Sequence, residues 1–439
     1  MNTLIKFFRE LVGPTAVMAA GTMGAGAVAS FLLAGAWFGY DLLWVILLLL
    51  PVFVVSVDSS SRIGALNPDE GMFALIRSRV HPGVAWLILL INVPVHFLVA
   101  MGQISVMSSA FSSLVGLSAD GLDASPLVSQ VFDVGLSLAL AGAILWVVFS
   151  QGYERMQRVM SLLMVLMFLC FFLVAMRSFT EWRAILLGFI PSMPADLPVP
   201  GSDASRIATS SIIAMVGAAI APGALLGMPY YSADAGGNKA KLKLAFRRAV
   251  INLGFIFGAY AIFVVVAGGF ALHTLDNHAS MADVAQASVV LSGALPVMLS
   301  FLGPIIFSLG LFIAAMTTLV VTVQVTTYII LDMLGLQWRF SKQNKTYHRL
   351  LFTFVLAAAF LAPFWEFPAL LKVVLLMGIN VIVIPIVYFI LILLVNNKGV
   401  MKEYRAEWWR NGILVVGLVV SITLAIDKAP HYYSLLVGP

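Results

Sequence analysis

A single cysteine, Cys170, in 439 residues leaves no disulfide to build a fold around and gives no reading of redox compartment. Charge is almost as scarce. Asp, Glu, Lys and Arg make up 10% of the chain against 61% hydrophobic residues, and the mean hydropathy is +1.03. That balance excludes an ordinary soluble domain, and the length excludes a lone membrane anchor. A Walker A sequence is missing, as are His-Glu-x-x-His and Gly-x-Ser-x-Gly, so neither nucleotide-driven pumping nor a membrane hydrolase is indicated and no enzymatic active site is expected. The apolar runs hold no acid-plus-histidine cluster with metal-ligand spacing. A net charge of +5 does not point to nucleic acid, because the basic residues gather in short loops. Short-period repeats, low-complexity tracts and loops long enough for a separate soluble domain are also lacking.

What is present is a series of apolar runs, each about 20 residues or more, the length that crosses a roughly 30 Å hydrocarbon core. They fall near 13–40, 42–57, 83–115, 134–150, 158–176, 207–231, 249–271, 298–331, 348–363, 370–395 and 411–427, which makes eleven spans. The basic lead with Lys6 and Arg9 and the small residues after Val17 resemble a signal peptide, but the apolar pattern runs on to Trp37, so span 1 is expected to stay. With the N-terminus in the cytoplasm, all but five of the 25 Lys and Arg fall in inside segments. The exceptions are Arg177, Arg183, Arg206, Lys372 and Lys428. The positive-inside rule therefore favours a cytoplasmic N-terminus and, across eleven spans, an extracytoplasmic C-terminus.

Two spans are not ordinary. Gly13–Tyr40 carries Gly21, Gly24 and Gly26 at its centre, where a helix in lipid would normally hold Leu or Val. Ile207–Tyr231 is interrupted by Ala221-Pro222-Gly223, and Pro222 removes a backbone hydrogen bond. A pair of broken helices half a chain apart marks the central site of a secondary transporter built from inverted repeats. The expected fold is an all-α polytopic membrane protein. It has a first repeat over 1–178 (spans 1 to 5), an extracytoplasmic connector over 179–206, a second repeat over 207–396 (spans 6 to 10), and span 11 with its tail over 397–439.

Several stretches then resemble one family: GYDLLWVILLL from Gly39, SSRIG from Ser60, GYERMQRVMSLLMVLMFLCF from Gly152, VGAAIAPGALLGMPYYSA from Val216 and IVIPIVYFILILLVNNKGVMKEY from Ile382. Their order is similar to that of the natural resistance-associated macrophage protein (NRAMP) family of divalent-metal transporters. The resemblance implies a LeuT-like fold, with two inverted five-helix repeats plus an eleventh helix and a substrate midway across the membrane between the breaks of spans 1 and 6. It fits an integral protein of a bacterial inner membrane.

The departures from the family lie at the ligands. Where the family breaks span 1 at Asp-Pro-Gly-Asn, this chain has Gly24-Ala25-Gly26-Ala27, without a side-chain oxygen. The family's Met-Pro-His in span 6 falls at Ala221-Pro222-Gly223, a second family histidine falls at Met228, and the family's span 10 glutamine falls at Gly378. A divalent ion exchanges its hydration shell for oxygen, nitrogen or sulfur ligands, and Gly and Ala supply only backbone carbonyls. Without a carboxylate, desolvating a 2+ charge is hard to offset. No side-chain metal ligands and no cofactor are therefore expected.

Glycine-rich breaks can instead expose amides of a half-helix N-terminus to a substrate carboxylate, although glycines also permit close helix packing. Gly24, Ala25, Gly26, Ala27, Ala221, Pro222, Gly223, Gly378 and Asn380 form the expected substrate site. His96, with Asn92 one turn before and Gln103 two turns after, forms an expected polar or proton path. Thr209, Ser210, Ser211, Thr317, Thr318, Thr322 and Gln324 either contact substrate or bond back to their own helices. Asp58 and Arg62 have the spacing of a helix ion pair. His273, Asp276 and His278 lie together in an outer loop read as solvated.

The sequence thus supports an alternating-access secondary transporter for a small solute such as an amino acid or carboxylate. The alternatives are a divalent cation (Mn or Mg type) held by carbonyls or carried hydrated, and a non-transporting receptor or scaffold. A channel would show polar or charged rings, which are missing. The partners expected are the substrate and membrane lipid, without nucleic acid. The oligomeric state is left open, a monomer included.

Overall fold

The structure, a computed structural model, describes residues 13–116, 126–149, 153–198, 205–273 and 301–437. The basic lead at Lys6 and Arg9, and Asp276 and His278, lie outside the described residues. Among the described residues eleven spans emerge when the bent pair at the start is counted as one. Span 1 is Pro14–Thr22 (1a) and Ala25–Phe38 (1b), and its halves bend by 50°. Spans 2 to 5 are Leu43–Leu66, Pro82–Val115, Pro126–Phe149 and Tyr153–Leu187. Span 6 is Ala208–Ala219 (6a) and Pro222–Asp234 (6b), and span 7 runs over Lys239–Leu272. Spans 8 to 11 are Gly303–Met333, Lys345–Leu361, Ala369–Asn396 and Trp408–Val437.

Helix packing carries a two-fold exchange. Span 1b packs on span 7 and span 6b on span 2. Span 1a lies on span 5 and span 6a on span 10. Spans 3 and 10 touch, as do 8 and 5, while span 3 pairs with 8 and span 4 with 9. Advancing the chain by five spans turns each of these pairs into its counterpart. Five is an odd number of crossings, so the second set runs in the opposite sense to the first.

The breaks differ in degree from the expectation. Span 1 is sharply bent, but span 6 is interrupted only at Ile220 and Ala221, without a bend above 40°. Pro222 stands at the first position of 6b, where its missing N–H has no helical partner to lose, so it starts a half-helix rather than kinking one. The segment before span 6 is tied down at both described ends. Trp44 Nε1 donates to Ser192 O (2.9 Å), Asp196 Oδ1 accepts from Ala208 N (3.0 Å), and β1 (Leu197–Pro198) pairs antiparallel with β2 (Ser205–Arg206). Tyr40, in the turn before span 2, donates to Glu181 (2.6 Å). Burial, together with that carboxylate, holds its phenol above the usual range.

Span 11 is fastened by charge. Asp58 is fully buried in span 2. Its Oδ2 accepts from Arg62 Nε (2.9 Å), the expected helix pair, and from Arg410 Nη1 of span 11 (2.6 Å). Arg410 also lies over the rings of Phe246 (4.9 Å) and Trp409 (4.5 Å). Arg410→Ala takes one of two guanidinium groups off the buried Asp58 carboxylate and leaves Arg62 as its partner, so it should lower stability by about 1.5–3 kcal/mol, the worth of a hydrogen bond to a charged group. The matching neutral change Asp58→Asn in the same chain should recover part of that loss. Thermal unfolding of the purified protein measures both.

Candidate functional site

The centre of the molecule is built by the span 1 break. Glycine lowers helix stability at 21, 24 and 26, and the helix stops at Thr22. Met23 N still reaches Ala19 O (2.9 Å), and the Thr22 hydroxyl is used within the same turn on Met18 O and Ala19 O (both 3.0 Å). Two of the freed carbonyls are answered from other spans. Gly21 O accepts from Thr318 Oγ1 of span 8 (2.6 Å), and Met23 O accepts from Tyr260 OH of span 7 (2.9 Å). Tyr260 follows a π-helical turn, Val250–Ile256, whose Asn252 also holds Thr15 at the start of span 1a (3.0 Å). At Gly24 a Cβ would fall 1.5 Å from Thr318 Oγ1, so glycine is demanded by the approach of span 8. Span 1b then opens with the N–H groups of Ala25, Gly26 and Ala27, which helix geometry leaves without intrahelical partners; Val28 N is the first to bond back, to Gly24 O (2.9 Å).

Between this break and the start of 6b lies a cavity of about 60 Å³. Of the residues singled out from sequence, Gly24, Gly26, Ala27, Ala221, Gly223, Asn380, His96 and Gln103 line it, together with Thr318 and Thr322. Ala25, Pro222, Gly378 and Asn92 are not in its wall. Asn92 is buried but spends its amide on its own helix, Nδ2 donating to Ile88 O (2.9 Å), so the expected polar face narrows to His96 and Gln103. Thr317 similarly bonds to Ala314 O, Gln324 reaches Tyr328 OH, and Ser210 meets Lys428. At span 10 the wall is formed by Met377 and Asn380 rather than by Gly378. Met377 and Met18 escaped notice because an apolar residue in an apolar span carries no signal; only the neighbouring Gly378 hinted at the place.

The polar groups facing this space are neutral. His96 Nδ1 meets Thr326 Oγ1 (2.9 Å), and that hydroxyl gives its proton to Thr322 O (2.7 Å). Thr326 is thereby the acceptor for an Nδ1–H, which leaves Nε2 with a lone pair. A Cβ at Gly223 would come 2.9 Å from that nitrogen, so the lone pair sits against the first turn of 6b. Gln103 is fully buried, and neither its amide oxygen nor its amide nitrogen has a partner. Asn380 Nδ2 reaches only the Met377 sulfur, at 3.8 Å. Among the described residues no group of three or more His, Cys, Asp or Glu could hold a metal. The nearest cation on these helices is Lys372 in span 10, buried beside Ser105 Oγ of span 3 (3.1 Å) and over the Trp365 ring (5.3 Å), with no ion pair among the described residues.

This fold and central cavity have relatives. A family model described as natural resistance-associated macrophage protein-like matches residues 15–428. The chain belongs to the NRAMP family. The divalent metal cation transporter MntH 1 of Pseudomonas aeruginosa is 28% identical over 186 residues, 41% of this chain and 38% of that protein, so the alignment spans about two-fifths of that relative. The Eremococcus coleocola manganese transporter, solved with an aromatic bis-isothiourea compound, superposes with a TM-score of 0.70 at 16% identity, covering 100% of this chain and 90% of its own. MhsT, solved with L-phenylalanine, superposes at 0.64 with 14% identity, covering 94% and 98%. At these identities the superpositions establish the LeuT-like fold. With eleven apolar spans among the described residues, membership of the NRAMP family makes this an integral membrane protein.

The orphaned amide gives this NRAMP protein a test with opposite signs. Gln103→Leu replaces an unpaired buried polar group by an apolar one of similar size. It should raise stability by roughly 1–3 kcal/mol, the cost of leaving such a group unsatisfied, and weaken solute binding. A drop in Tm would show that the amide holds the fold instead. Gly24→Ala should destabilise by about 1–3 kcal/mol through overpacking and break the Thr318 to Gly21 hydrogen bond; thermal unfolding reads both substitutions.

Proposed function

We propose that this chain is an alternating-access secondary transporter of the bacterial inner membrane, N-terminus in the cytoplasm. Its substrate is a small organic solute carrying a carboxylate, an amino acid or simple acid. The bundle of spans 1 and 6 would rock against the remaining spans around the cavity. The observation that carries the reading is the division of backbone groups at the span 1 break: Gly21 O and Met23 O already accept hydrogen bonds, while the first N–H groups of span 1b have none to give within their helix. Such a centre offers donors to an anion and few acceptors to a cation. Gln103, with both amide atoms unpartnered, supplies one more donor and an acceptor for the rest of the solute. A receptor or scaffold would have less use for an open cavity between two breaks.

A second reading has its own observation. The His96 Nε2 lone pair and the Met377 sulfur both stand at the cavity, and thioether and imidazole are the neutral donors that softer metal ions accept. The names of the relatives, a divalent metal cation transporter and a manganese transporter, favour a metal cargo of this kind.

Thermal unfolding in detergent separates the two. A ligand that binds only the folded form adds about 2.7 kcal/mol at a hundred times its Kd. A panel of amino acids and small carboxylates should contain a saturable stabiliser, with Mn²⁺, Mg²⁺ and Ca²⁺ indifferent. Saturable stabilisation by Mn²⁺, reversed by a chelator, would overturn the organic-solute reading in favour of the metal.

Proton coupling is assigned in the same proposal to His96, whose Nε2 is the ring position left to take a proton. His96→Gln should flatten the pH dependence of uptake into proteoliposomes; an unchanged profile would remove His96 from the coupling.

A further inference from the structure

Near the start of span 10 a lysine is buried without a carboxylate. Lys372, in the first turn of Ala369–Asn396, is 4% exposed. Gly102 of span 3 draws the two helices together there: a Cβ at that glycine would stand 3.2 Å from Val373 and 3.3 Å from Leu376. The close seam brings Ser105 of span 3 within reach. Its Oγ accepts from Lys372 Nζ (3.1 Å) and donates its own proton to Met101 O (3.1 Å). The Trp365 ring lies 5.3 Å from the same Nζ. An ammonium has three N–H donors. One goes to Ser105, and for the others neither an ion pair nor a second oxygen acceptor is found among the described residues. Sequence accounts for this: span 10 packs on spans 1b, 3 and 6a, and all four are without Asp or Glu. Glu366, on the lead into span 10, and Asp427, on span 11, are exposed.

A buried ammonium is costly unless an opposite charge and hydrogen-bond acceptors meet it, and here the described residues offer one neutral hydroxyl and an aromatic face. We propose that a small monovalent anion, a halide or a carboxylate, binds at Lys372 between spans 3 and 10 and takes the remaining N–H groups. The site is separate from the central cavity. Lys372 is not in that cavity's wall and lies five residues from Met377, toward the end of span 10 that the loop charges mark as outer. The anion therefore binds there whether the central cavity takes an organic solute or a metal ion.

The full-length protein, purified in a neutral detergent and exchanged into bulky sodium gluconate, would be titrated with chloride and, separately, with acetate at constant ionic strength, and followed by thermal unfolding. Chloride should raise Tm saturably. Lys372→Met, which keeps the length of the side chain and removes its charge, should raise Tm in gluconate and increase the half-saturating chloride concentration at least about ten-fold, the worth of a hydrogen bond to a charged group. Lys345→Gln, an exposed lysine at the start of span 9, should change it less than about two-fold. Should Lys372→Met not fold, Lys372→Gln carries the same expectation. Acetate acting in place of chloride, with the same sensitivity to the loss of Lys372, would keep the site and assign it to a carboxylate. Identical unfolding in chloride, acetate and gluconate, or a response that survives Lys372→Met, would overturn the proposal. Loss of folded protein in both neutral variants would overturn it too, because the ammonium would then be answered within the chain.

Discussion

Stopping a helix in mid-membrane frees backbone groups that lipid cannot answer, and the centre of this protein is arranged around answering them. Span 1 does not supply its own caps. Thr318 and Tyr260, which satisfy Gly21 O and Met23 O, belong to spans 8 and 7 of the other repeat. The break in the first repeat is therefore complete only when the second has folded against it. The contact at Gly24, where a Cβ would overlap Thr318 Oγ1, is the steric form of the same dependence. One glycine without a side chain admits one hydroxyl, and that hydroxyl lets the helix end.

The same capping bears on charge. A cation at this site would compete with two hydroxyls for carbonyl lone pairs and would find neutral side chains around it. Lys372 stands five residues from Met377, about 7.5 Å along the helix axis at 1.5 Å per residue. An ammonium on this helix favours an anion over a cation at the cavity. Membership of the NRAMP family fixes the scaffold; the ion a member carries is decided by the handful of groups at the breaks. Among the described residues the cavity wall holds no carboxylate, and what faces it at the breaks is backbone and neutral side chains.

Spans were legible because the bilayer imposes a length that hydropathy reports directly, and the span 1 break because three glycines within Gly21–Gly26 weaken an apolar helix at one place. Span 6 was read less well. A proline looks like a breaker wherever it stands, yet Pro222 at the first position of a half-helix loses no hydrogen bond, so the interruption leaves little bend. Asn92 and Gln103 looked alike as buried amides on one face. Asn92 turned out to bond to Ile88 O and Gln103 to nothing. Residue type and helix position, which are all that one sequence gives, do not separate the two. Met377 was illegible for the simpler reason that its role at the wall depends on helix phase, not on residue type.

The acids that the central cavity lacks are found at the far end of 6b, one on that half-helix and one on span 8 beside it. Asp332 of span 8 accepts from Tyr230 OH of 6b (2.6 Å) and from the amides of Phe73 (2.7 Å) and Ala74 (3.2 Å) in the short helix Met72–Arg79 between spans 2 and 3. Asp234, at the end of 6b, accepts from Tyr328 OH, Tyr153 OH reaches Tyr231 O (2.8 Å), and the Tyr328 ring stacks on Tyr230 and meets Tyr231 edge-on. Of the three hydrogen bonds on Asp332 only the one from Tyr230 fastens 6b, tying it to span 8; the two amides tie span 8 to the short helix. In an alternating-access cycle these bonds would break when the path opens toward this face, and the substrate's own interactions at the breaks would have to offset that cost. Asp234 and Asp332 thus lie at the end of 6b and on span 8 beside it, outside the wall of the central cavity.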